Sequence, residues 1–134
     1  MENLREYITE HKDHMEWLKE FEFCRKEISF FEGRLAEILK NHQNSGMRPR
    51  AEQFQNQFIR QREIIDIMEH KVNIHEFENA ELAKLNNGHI PDHCAIDHLH
   101  MREEIKIFWK IYEDLKGKFN HFCVACKVDK AKAS

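Results

Sequence analysis

Apolar side chains recur along the chain in three long stretches, at alternating steps of three and four residues. The first stripe runs Leu4, Tyr7, His11, His14, Leu18, Phe21, Ile28, Phe31, Leu35 and Leu39. The second runs Phe54, Phe58, Ile65, Met68, Val72, His75, Asn79 and Leu82. The third runs Cys94, Asp97, Met101, Glu104, Phe108, Ile111, Leu115, Phe119, Phe122 and Cys126. Such spacing lays one face along each helix and has the heptad period of left-handed bundles. Two places break it. Asn41 to Pro49 holds a glycine stop followed by a proline suited to a first helical turn, and Asn86 to Asp92 repeats that grammar with an acid in the new first turn. The pattern predicts helices over about 3–42, 49–86 and 91–126, each longer than about 50 Å at 1.5 Å per residue. Short connections make neighbours antiparallel, so the expected fold is all-α: an up-down-up bundle of three long antiparallel helices, with residues 1–126 as one domain. The lysine-rich tail, 127–134, is expected to fray. Gly33 and Gly117 fall inside helices at a cost of about 1 kcal/mol each against alanine, and either suits close helix approach or a bend.

The apolar seam fails in one region on all three helices. Folding the chain about its two connections sets His14 level with Glu76 and Met101, and His75 level with Met15 and Arg102. Asp97 and Glu104 bracket that level from the third helix. His11, Asn79, His93 and His100 share the same end. On the third helix His93, Asp97, His100 and Glu104 are spaced four, three and four, so they rise along one side. A buried carboxylate without a partner costs several kcal/mol, and imidazoles on facing helices supply one as protonated partners or as co-ligands of a cation. The candidate ligands are therefore His11, His14, His75, Asp97, His100 and Glu104, with His93, Glu76 and Asn79 as auxiliaries. Mixed nitrogen and oxygen donors suit iron, manganese or zinc better than calcium or magnesium, and bridging carboxylates would allow two ions. A lone histidine on an apolar face is ordinarily a satisfied core residue, so it is the coincidence of levels that carries weight here. His70, His89 and His98 are expected to be surface or loop residues.

This ligand inventory resembles that of hemerythrin-like and ferritin-like dinuclear iron bundles, whose histidines and carboxylates project inward from facing helices. His100-x-x-x-Glu104 has the spacing of a hemerythrin-like element, and Asp97-x-x-His100 that of a ferritin-like one. The resemblance covers a few residues of one helix. Those families use four helices, and their duplicated or ordered motifs are not reproduced, so the likeness is one of site chemistry. It implies a dinuclear iron centre with oxygen-related chemistry or sensing.

Composition sharpens the picture. Charged residues make up 34% of the 134 and the apolar set 41%, too apolar for a disordered chain and too polar for a membrane protein. A formal net charge of -3 argues against nucleic-acid binding by phosphate neutralisation. The ten histidines outnumber the tyrosines, prolines and glycines together, which directs attention to imidazole chemistry. Met1 to Glu6 has no apolar leader-like run, and four cysteines in that setting read as thiols, so the expected compartment is the cytoplasm. At the far end, Cys123 and Cys126 lie at i, i+3 beside His121, with His42 near the same level. One such pair is half of the usual zinc arrangement, and buried, inert thiols are the simpler expectation. The phenylalanines largely follow heptad positions and read as core rather than as a cofactor pocket. No glycine-rich phosphate loop or Ser-His-Asp arrangement occurs.

Two functions remain. One is a metal-carrying bundle with a His/carboxylate transition-metal site. The other is a non-enzymatic interaction or scaffold module, in which the polar cluster is structural or pH-responsive. Ile59, Ile64, Ile67 and Ile74 on the outward side of the second helix suggest a homodimer or a helical protein partner.

Overall fold

The structure, a computed structural model, describes the backbone of residues 2–42 and 46–133 and the side chains of residues 6–42 and 46–128. Gln43, Asn44 and Ser45 of the expected first turn, the Leu4 side chain and the side chains of residues 129–134 in the lysine-rich end fall outside the described residues. Three helices follow one another: α1 (Glu2–Asn41), α2 (Met47–Leu85) and α3 (Asp92–Ala133). Helix α3 runs seven residues past the end that the apolar stripe marks at Cys126. Between α2 and α3 the turn forms as its residues dictate. Asn86 returns both its backbone and its side-chain N–H to the Leu82 carbonyl, and Gly88 N–H bonds the Ala83 carbonyl. Asn87 and Gly88 take positive φ of 53° and 89°, the left-handed conformation that asparagine and glycine tolerate best.

Cross-helix pairs fix the directions. Arg25 on α1 reaches Asp66 (2.8 Å) and Glu69 (2.6 Å) on α2, while Arg62 on α2 reaches back to Glu32, so α1 and α2 are antiparallel. Lys71 on α2 meets Glu104 on α3 at 3.3 Å and Phe54 meets Phe119 at 5.5 Å, so α3 is antiparallel to α2. Glu27 on α1 accepts from Tyr112 (2.7 Å) and Lys116 (3.1 Å), and Asp13 accepts from Arg102 (2.8 Å), so α1 and α3 run parallel. The result is the all-α, up-down-up three-helix bundle.

The buried face of each helix keeps a stricter heptad than the apolar stripes suggest. On α1 it runs Glu10, His14, Trp17, Phe21, Cys24, Ile28, Phe31 and Leu35; on α3 it runs Cys94, His98, Met101, Ile105, Phe108, Tyr112, Leu115, Phe119, Phe122 and Cys126. Both sequences step by four and three without a slip. Asp97, Glu104 and Ile111, which the stripe on α3 included, stand one residue before that face and are exposed. His98, expected at the surface, is buried. The middle and the α1-C-terminal half of the bundle are aromatic: Phe119 packs against Phe31, Phe54 and Phe58 with centroids 5.1–5.5 Å apart. Gly33 and Gly117 have nothing within 4 Å of where a Cβ would sit, so neither marks a close helix approach. Ile59, Ile67 and Ile74 are exposed, whereas Ile64 packs partly against the core. Among the described residues, no helix is long and apolar enough to cross a membrane.

Gln61 interrupts this core between Phe58 and Ile65. Its Oε1 is buried with no hydrogen-bond partner among the described residues. An unpaired buried acceptor costs about 1–3 kcal/mol. Gln61→Leu is therefore expected to raise stability by about 1 kcal/mol, read as a higher urea midpoint at unchanged slope. A midpoint at or below the parent's would overturn this reading of Gln61.

Candidate metal centre

One heptad beyond the apolar core, toward the N-terminus of α1, the same buried positions turn polar on every helix. Trp17 is the last large apolar residue of α1 on this face; the next two positions are His14 and Glu10. On α2, Val72 gives way to His75 and Asn79. On α3, Met101 gives way to His98 and Cys94. Helical packing therefore delivers these side chains to the bundle axis as firmly as it delivers leucine elsewhere. His14, His75, His98 and Glu10 are only 0%, 5%, 4% and 7% exposed. The Trp17 ring stacks on His98 at 4.9 Å and closes the inner side.

The four side chains converge. One donor atom from each lies within 4.8 Å of the other three, and among the described residues this is the convergent group of histidine, cysteine and carboxylate donors. His14 Nε2 is 3.2 Å from His98 Nδ1, which is 3.3 Å from Glu10 Oε1, which is 3.1 Å from His75 Nε2. Ligands at about 2.1 Å from a metal stand about 3.0 Å apart in an octahedral array and about 3.4 Å apart in a tetrahedral one. The three close edges fall in that interval, so a buried Glu/His3 group is close enough to hold a metal ion.

The outer nitrogens set the protons. His14 Nδ1 meets Glu76, and His98 Nε2 meets Asp13 Oδ2 at 2.9 Å. Glu76 also takes His11, and Asp13 is steadied by Arg102 at 2.8 Å. A carboxylate accepts only, so each imidazole turns an N–H outward, and in its neutral form it keeps a lone pair on the inner nitrogen. The inner nitrogens, His14 Nε2 and His98 Nδ1, face one another and Glu10 Oε1. Carboxylates that orient imidazoles in this way are the usual support of a metal-ligating histidine.

Burial pushes the Glu10 carboxyl up, but hydrogen bonds from His75 and Asn79 and the nearness of His98 and His75 outweigh it and hold the group ionised below its ordinary range. Asp13 behaves alike: burial is outweighed by His98 and Arg102. For His14, burial dominates and holds the imidazole below its ordinary value; Glu76 opposes, while His75 and His98 add to the effect. The site is thus an ionised carboxylate facing a neutral imidazole. Asn79, fully buried, donates Nδ2 to Glu10 Oε1 at 3.0 Å, and its Oδ1 has no partner among the described residues.

Of the residues that the sequence nominates, His14 and His75 enter this group. His11 stands half-exposed beside Glu76, one shell out. The structure does not bring Asp97, His100 or Glu104 into the group. They line an open groove between α2 and α3, together with Lys71, Glu78 and one side of His75. The physical reason is the heptad phase of α3, which turns His98 inward and its neighbours to the flank. Of the residues named as auxiliaries, Glu76 meets His14 Nδ1, Asn79 donates to Glu10 Oε1, and His93 lies 3.6 Å from the Cys94 sulfur. Glu10 and His98 were missed. Their signal is positional: each lies one heptad from a buried neighbour, Trp17 or Ile105, on a face that only the strict period defines.

The second constellation differs. His42, Cys123 and Cys126 border a groove with Arg34 and Lys127, and burial raises the Cys123 thiol despite Arg34. All four cysteines are buried thiols outside any disulfide, and burial pushes Cys24 up to about 11, which marks it as an inert thiol. Comparison with known proteins gives no match to any family model, curated protein or solved structure.

Proposed function

We propose that the protein binds one divalent transition-metal ion through Glu10, His14, His75 and His98. The observation that carries this reading is the buried convergence of Glu10, His14, His75 and His98, in which the inner nitrogens of His14 and His98, acceptors when both imidazoles are neutral, stand 3.2 Å apart. Two such acceptors repel unless a proton or a cation lies between them. In the protonated alternative, an ion network without metal, the imidazolium cannot readily be His14, whose own protonation burial disfavours. A cation satisfies both nitrogens and Glu10 together. Three imidazoles and one carboxylate suit zinc, iron(II) or manganese(II). With Asp97 and Glu104 on the exposed flank, the converging donors are a set for one ion.

The test is metal analysis of protein purified without a histidine tag, paired with melting curves before and after chelation. About one equivalent of metal is expected. A free metal concentration one hundred times the dissociation constant should add about 2.7 kcal/mol of stability. Protein that neither retains nor takes up a stoichiometric transition metal, and melts identically with and without it, would overturn the proposal.

A further inference from the structure

Resting on that reading, we infer that the bound metal keeps one exchangeable position, which faces Asn79 Oδ1 and takes water or a small hydroxylic molecule in its place. One observation independent of the donor set points there, and a second gives solvent a route to the same layer. Asn79 is fully buried, and its Nδ2 is committed to Glu10 Oε1 at 3.0 Å, so the amide is oriented by the ligand carboxylate itself. Its Oδ1 is left without a partner among the described residues, in the layer next to the three imidazoles. An amide oxygen only accepts. What satisfies it must carry a proton on an atom held close to Glu10, and a ligand oxygen on the metal does so. The second observation is access. A groove of about 350 Å³ between α1 and α3 is walled by Glu10 and His98 together with Thr9, Ala95, Leu99 and Arg102, so solvent reaches the edge of two ligand side chains.

The geometry leaves room for a fifth ligand. The three close donor edges of 3.1–3.3 Å fall between the octahedral and the tetrahedral spacing, and four donors spaced more closely than a tetrahedron requires leave a further position open. The acceptor character of Asn79 selects the chemistry of the ligand: a hydroxyl, a water or a hydroxamic acid satisfies it, and a bare anion without a proton does not.

Cobalt(II) is the probe. Loaded with one equivalent, the parent protein is expected to show the weak visible bands of five-coordinate cobalt, several-fold below those of a four-coordinate site. Acetohydroxamic acid should shift them saturably. In Asn79→Leu, or in Asn79→Ala should the first variant fail to fold, cobalt should still bind while the affinity for acetohydroxamic acid falls at least tenfold. Intense four-coordinate bands that ignore the probe in the parent would overturn this inference and leave the metal site standing. Equal probe affinity in the Asn79 variant would overturn the assignment of the position to Asn79. Failure of the parent to bind cobalt at all would instead overturn the metal-binding proposal on which this one rests.

Discussion

Replacing His98 with alanine is expected to lower the affinity for zinc or cobalt by more than about 100-fold, while His100→Ala leaves it within about twofold of the parent. Loss of a residue that merely orients a ligand costs about 10–100-fold, and His98 is both a donor and the anchor of the Asp13–Arg102 pair. His100 is exposed and lies in the α2–α3 groove, outside the convergent group. Competition with a chromophoric chelator reads both affinities directly. In melting experiments the metal-dependent gain of about 2.7 kcal/mol at one hundred times the parent's dissociation constant should vanish in His98→Ala and persist in His100→Ala. The increment, and not the absolute stability, is the measure, because removing the imidazole also strips the Trp17 ring of its stacking partner. Parent-like affinity in His98→Ala would remove the four-residue centre; a collapse in His100→Ala would move the metal to the groove.

The contrast between His98 and His100 also marks where the sequence was legible. The three helices, their directions and the turn between α2 and α3 follow from the three-and-four pattern and the Gly/Pro breaks, because nothing else in the chain competes with helix. The level of the site was legible as well: the seam fails at the same height on each helix, and His14 does meet Glu76. The rotational phase of α3 was not. From Cys94, a step of three reaches Asp97 and a step of four reaches His98, and both land on Met101. An apolar count cannot choose between two polar residues. The unbroken heptad from Phe108 through Tyr112, Leu115, Phe119, Phe122 and Cys126 does choose, since extending it backward gives Ile105, Met101 and His98.

Glu10 was hidden for a different reason. A carboxylate at a core position looks like a surface residue to any scale of hydropathy, and its neighbour His11 fitted the stripe to His14 equally well. Only phase extrapolated from Trp17, Cys24 and Phe31 puts Glu10 inside. Proton placement lay beyond the sequence altogether. It depends on Asp13 and Glu76 reaching the outer nitrogens of His98 and His14, which is a matter of flank positions on two helices brought together by packing.

Acid is expected to unfold the chelator-treated protein progressively below about pH 6.5, and the sign follows from His14. Its imidazole is held below the ordinary value of about 6.5, chiefly by burial, so over the interval between the two values the unfolded chain binds more protons than the native one. A depressed folded value means a contribution fully present above the unfolded value and lost as pH falls through the folded one. Glu10 and Asp13, also held low, add a second loss beginning near pH 4. A network of protonated histidines would do the opposite near neutrality, gaining stability as pH fell from 8 to 6. Metal-loaded protein should lie about 2.7 kcal/mol higher at pH 7.5 when the metal is at one hundred times its dissociation constant, because protons then compete little for the nitrogens. As pH falls toward 5 that competition releases the ion, and the loaded and chelated curves should converge. Glu104→Gln should track the parent throughout, since Glu104 is half-exposed and its 3.3 Å pair with Lys71 is a surface contact worth under about 1 kcal/mol. The measurement is a set of urea melts between pH 5 and 8, with and without chelator. A chelated protein that grows more stable from pH 8 to pH 6 would show imidazolium held at the core, and the site would then be an ion network in place of a metal centre.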